Sequence, residues 1–149
     1  MARGSGQSSK IGFRVIPGPA ARNPELAPIF EPGDLALAAA SVAESKQAGA
    51  VVVIDIRDLS PFCSYFVIAT ASNPRLMDTV MRETLIQMKQ RFGITGTVEG
   101  ADSEEWRLID FGQVAIHLFS PDGRRFYQIE KLWHDAPRVE AGQVAAVTA

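Results

Sequence analysis

Two β-branched runs, AVVVIDI at residues 50–56 and SYFVIATA at 64–71, are separated only by RDLSPFC and followed at once by Asn73-Pro74. Each run is too short for an ordinary helix and apolar without alternation, which predicts strands covered on both faces. Asn73 and Pro74 form a cap and first-turn pair. Leu76, Met77, Val80, Met81, Ile86, Met88 and Phe92 then recur at helical spacing until Gly93, a natural C-terminal stop. Strand, strand and amphipathic helix in under fifty residues leave few architectures. A sheet of such strands buries both faces only under helices, so the chain is expected to be α/β.

The flanks extend this pattern. Upstream, Asp34 is placed to cap a helix over LALAAASVAESKQA, with Leu35, Ala38 and Val42 on one side and Gly49 closing it. Downstream, ITGTVEG at 94–100 predicts a short third strand, and EEWRLIDFGQVAIHLF at 104–119 predicts two more joined by a tight turn. After SPDG, Phe126, Ile129, Leu132 and Trp133 argue for one closing helix that stops before Pro137. The expected fold is a mixed α/β domain, with helices packed on a sheet of about five strands. No internal repeat is present.

The hairpin has one unusual face. With Phe111 and Gly112 as its loop, Asp110 opposes Gln113 and Trp106 opposes His117. Trp106, Leu108, Asp110, Gln113, Ala115 and His117 then share one side, and Arg107, Ile109, Val114, Ile116 and Leu118 the other. The second side is the evident core. The first mixes indole, imidazole, amide and carboxylate, and three readings fit it: a catalytic site, satisfied core groups, or a docking surface.

Composition narrows the function classes. Ten of the 21 glycines and prolines fall in residues 1–33, so these are expected to be a disordered extension, with the ordered domain at 34–138 and a frayed tail at 139–149. Residues 1–24 contain no acid, as in organellar transit peptides, but their glycines and prolines oppose an amphipathic helix. The net charge of −2 gives no electrostatic case for binding bare DNA or RNA. No apolar run suggests a membrane span or secretory signal, so an intracellular protein is expected. The single cysteine, Cys63, lacks a neighbouring base and is expected to be structural.

Asp55, Asp58, Glu99, Asp102, Glu104 and Glu105 invite a metal-dependent nucleotidyl transfer reading, because that chemistry gathers carboxylates around divalent cations. Asp55 and Asp58 are three apart at a strand end, a spacing that does not project them side by side. There is no phosphate-cradling glycine loop, no nucleophile elbow and no metal-ligand spacing of His and Cys. No catalytic residue, cofactor or metal is therefore assigned from the residues themselves.

Three segments together resemble the ribosomal silencing factor (Iojap-like) family: VVVIDIRDLSPFCSYFVIATASNPR, VEGADSEEWRLIDFGQVAIHLFS and RRFYQIEKLWHDAP. The likeness runs from about residue 34 to 138. It departs at Cys63-Ser64, where the family usually has an acidic residue, and at Thr70-Ala71-Ser72-Asn73, where it often has a Thr-Gly-x-Ser turn. The resemblance implies a non-enzymatic cytoplasmic factor, with a nucleotidyltransferase-like topology lacking the active site and often homodimeric when free. It implies binding to the large ribosomal subunit through large-subunit protein number fourteen, blocking subunit joining and repressing translation when nutrients are scarce. Trp106, Asp110, His117, Arg125, Tyr127, Glu130, Lys131 and Trp133 match the family's recurrent positions. They are expected to form one partner-binding patch, with Trp106 and Tyr127 as aromatic anchors, Trp133 as either a third anchor or a core residue, and the charges setting register.

Overall fold

The computed structural model describes residues 30–139. Most of the expected extension at 1–33, and all but the first residue of the expected tail at 139–149, lie outside them. Five strands and four helices follow in the order α1 (Pro32–Ser45), β1 (Gly49–Asp55), β2 (Tyr65–Thr70), α2 (Pro74–Phe92), β3 (Thr97–Glu99), β4 (Trp106–Asp110), β5 (Val114–Phe119), α3 (Pro121–Tyr127) and α4 (Ile129–Leu132). They build a mixed sheet of order β1-β2-β5-β4-β3, in which β2 and β5 are parallel and the other neighbours antiparallel.

α1 starts two residues before Asp34. Pro32 takes the first turn, where its missing N–H costs nothing, and Asp34 sits beside the positive helix end without a capping bond. Residues 30–33, at the end of the segment assigned to the extension, are packed here, and Phe30 meets Phe92 edge-on at 5.1 Å. α2 matches its expected bounds: Asn73 Oδ1 accepts the Leu76 N–H at 2.8 Å, and Gly93 closes the helix at φ +69°.

α1 and α2 cover one sheet face, where the small Ala36, Ala39 and Ala43 let the helix approach Val67, Ala69, Ile116 and Leu118 closely. Arg107 stands among these apolar residues. Its guanidinium is satisfied by Asp78 of α2 and by the Ser103 carbonyl at 2.6 Å, so the charge is paired where it is buried. The opposite face carries Ile54, Phe66, Ile68, Leu108, Ala115 and Phe119, roofed by the short α3 and α4.

β2 is buried on both faces as its apolar run requires, and β5 is buried throughout; β1, expected to be covered on both faces too, is an edge strand with Val51 and Val52 half-buried. Its outer edge is partly closed by residues 137–139. Asp55 N–H donates to the Pro137 carbonyl and Val139 N–H to the Val53 carbonyl, which hides part of a row of groups that would otherwise invite pairing.

The hairpin turn lies one residue further along than expected. Gly112 and Gln113 form the loop, Asp110 opposes Ala115, and Trp106 opposes Phe119 instead of His117. Phe111 is the cause: its ring is buried against Gly96 in the helix-covered core, which keeps it out of a solvent-exposed turn. Gly112 supplies the positive φ of +91° that a two-residue loop needs. Because the pairing moved by two in residue sum, each side chain kept its face.

Candidate docking surface

The site is assembled by three local devices on the face opposite α1 and α2. First, Ser120 caps α3 by accepting the Gly123 N–H at 2.9 Å, while its own N–H donates to the Glu105 carbonyl at 3.1 Å. Gly123 is required there, since a Cβ would fall 2.3 Å from that carbonyl. α3 thus lies against the start of β4. Second, Gln128 adopts φ +46° and breaks the expected single closing helix in two. Third, Arg124 ties the two pieces back to the sheet.

Arg124 holds both oxygens of Glu130 at 2.8 and 2.9 Å, and also donates to Thr70 Oγ1 at 2.7 Å and to the Ala50 carbonyl at 2.9 Å. One side chain therefore joins α3, α4, β1 and β2. The Glu130 carboxyl is held below the ordinary carboxylate range first by these hydrogen bonds, against an opposing effect of burial.

The break in the helix changes what its apolar residues do. Only Ile129 is buried; Phe126 and Leu132, whose spacing argued for one closing helix, are 77% and 78% exposed. Tyr127 is 38% exposed and lies 4.6 Å, ring to ring, from the half-buried Trp106. Trp106 in turn stacks on buried Phe119 at 5.1 Å. Trp133 is half-buried, edge-on to Phe66 at 5.3 Å, so it closes the core with part of its ring at the surface. A row of rings runs from the interior outward, and its outer end is large, apolar and wet.

Two residues expected on the contact surface are interior groups. His117 is 1% exposed; its Nδ1 accepts the Trp106 indole N–H at 3.1 Å, and Phe66 packs edge-on to the imidazole at 4.5 Å. Burial pushes the imidazole pKa down to about 3, so it is neutral at pH 7, as an accepting Nδ1 requires. Asp110 is also buried, and its Oδ1 accepts the Gly112 N–H at 2.7 Å, bracing the hairpin turn. His117 lies on β5, the central strand, and Asp110 ends the neighbouring β4; burial at these positions comes from what packs over the sheet, which periodicity does not reveal. Glu130 is turned toward Arg124, while Lys131 is exposed and Arg125 is exposed and paired with Asp122. Glu105, Asp122, Arg125 and Phe126 line a shallow depression beside the rings.

Sequence reasoning overlooked Arg124 in favour of its neighbour, and used Phe126 and Leu132 only as the spacing of one closing helix. The signal for Arg124 was available in part: Arg124 and Glu130 are six apart, out of reach on a continuous helix, so their pairing demands the break at Gln128.

The carboxylates of the nucleotidyl transfer reading do not converge. Asp55 is clamped by Arg57 at 3.0 and 2.7 Å, which holds its pKa low, and among the described residues no three of His, Cys, Asp and Glu are placed to hold a metal ion. Cys63 is buried, and desolvation pushes its thiol up to about 12. Among the described residues, no helix is long and apolar enough to cross a membrane.

Residues 30–149 match the family model described as ribosomal silencing factor during starvation. The chain is 34% identical over 103 residues to a ribosomal silencing factor of Halalkalibacterium halodurans, covering 68% of this chain and 87% of that one. It is 31% identical over 97 residues to a mouse protein named for mitochondrial assembly of the ribosomal large subunit, covering 62% of this chain and 42% of the mouse protein. A solved structure from Chromobacterium violaceum superposes with a TM-score of 0.67 at 25% identity, covering 70% of this chain and 88% of that one.

Proposed function

The chain belongs to the family of ribosomal silencing factors, and on that premise we propose that it docks on the large ribosomal subunit, through large-subunit protein number fourteen, and sterically blocks joining of the small subunit. It acts in the cytoplasm without chemistry of its own, lowers translation when nutrients are scarce, and pairs as a homodimer when free. The observation that carries the reading is the exposed Phe126 and Tyr127 packed in series with the half-buried Trp106, with Leu132 also exposed on α4, all held on a braced scaffold. Large side chains packed in series, with Arg125 beside Phe126 and Lys131 exposed on α4, have the composition of an interface core and its rim. The dispersed carboxylates favour docking over nucleotidyl transfer. Trp133 contributes its outer edge.

Co-sedimentation with purified large subunits, followed by a subunit-joining assay without added nucleotide, tests the reading. The chain is expected to sediment with the large subunit and to suppress joining. Trp106→Ala should weaken binding by about 2 kcal/mol, roughly thirtyfold. Specific binding of a nucleotide with magnesium, together with no effect on joining, would reverse the assignment in favour of an enzyme.

A further inference from the structure

Trp106 is the half-buried member of the exposed aromatic surface, and what fixes its ring is not on that surface. Its indole has one hydrogen-bond donor, and that donor points inward to His117 Nδ1 at 3.1 Å. The imidazole is itself immobilised. It stands on β5 between Phe66, 4.5 Å away and edge-on, and Phe119, whose ring is nearly parallel to it at 6.4 Å. The same Phe119 stacks under Trp106 at 5.1 Å. The indole is thus held at two points, by ring contact beneath and by a directed bond at its nitrogen.

We propose that His117 is a positioning residue for partner docking: it orients Trp106 from within the fold and takes up its only donor, leaving the hydrocarbon part of the ring as what a partner meets. This rests on the docking reading above. An apolar residue of similar size at position 117 would fill the same space, but the indole N–H would lose its partner and the ring its preferred tilt against Tyr127. A partner facing Trp106 then meets a pre-set apolar surface and loses little side-chain freedom in binding it.

The test uses the full chain and large ribosomal subunits. In the parent, a nitrogen-15 spectrum should show the Trp106 indole N–H protected from exchange and coupled across the hydrogen bond to an imidazole nitrogen; Trp106→Phe identifies the resonance. His117→Leu should abolish the coupling, speed exchange and weaken large-subunit binding about tenfold, the scale of one misplaced hydrogen-bonded anchor. His117→Gln, whose amide oxygen can accept the same N–H, should restore protection and most of the binding. A parent lacking the coupling, a folded His117→Leu variant that binds like the parent, or a His117→Gln variant as weak as His117→Leu each overturns the positioning role. If His117→Leu does not fold, the parent coupling and the His117→Gln affinity decide. A parent that fails to sediment with large subunits overturns the docking reading itself, a separate outcome from any change among the variants.

Discussion

Replacing Arg124 with Met should unfasten the docking surface from the sheet. The side chain makes four hydrogen bonds, two to Glu130 and one each to Thr70 and the Ala50 carbonyl. Removing one member of a fully buried pair costs about 3–5 kcal/mol, because the other charge is left stranded. Here the Arg124 and Glu130 side chains are 13% and 25% exposed, so water can reach the orphaned carboxylate, and about 2 kcal/mol is the expected loss. For a domain of this size that lowers the melting temperature by about 8 °C. Glu130→Gln should cost about 1 kcal/mol, since Arg124 keeps its other partners, and the two changes together should be non-additive. The pH dependence gives a second reading. The folded Glu130 carboxyl lies below its unfolded value, so its contribution is present above the unfolded pKa and is lost as pH falls through the folded one. Urea unfolding at pH 7 and pH 4 should therefore show a parent that loses more stability on acidification than Arg124→Met does. An Arg124→Met variant within about 0.5 kcal/mol of the parent at pH 7, the range of an ordinary surface change, would refute the stapling role.

Gly123→Ala should destabilise by about 1–3 kcal/mol, because its Cβ would meet the Glu105 backbone and push α3 away from β4; urea melts that match the parent would show that α3 is not held there. Phe126→Ser with Leu132→Ser should change folding stability by less than about 0.5 kcal/mol while weakening large-subunit binding, the reverse of what core residues would do. The buried imidazole gives a further pH effect. Its folded pKa of about 3 lies below the unfolded value, so the unfolded chain binds the extra proton across that window and stability falls as pH drops below about 6.5. In His117→Gln that component should be absent between about pH 6.5 and 4.5.

Local chemistry was enough for most of the fold. The β-branched runs, the Asn73-Pro74 cap, the Gly93 stop and the alternation in the hairpin each depend on neighbours within a few residues, and such signals are written directly in the chain. They determined an α/β domain with five strands, and which hairpin residues share a face. Family motifs along the same stretch pointed to the ribosome. Only tertiary structure decided which of those residues are exposed. Asp110 and His117 have the polarity of surface groups but lie where a sheet face is roofed, whereas Phe126 and Leu132 have the spacing of one closing helix but lie on either side of the break at Gln128. That break is supported by a salt bridge reaching from α3 to α4 and by hydrogen bonds to two strands far away in sequence. Burial is a property of what packs on top, and contacts between residues distant along the chain leave no period in the sequence to read.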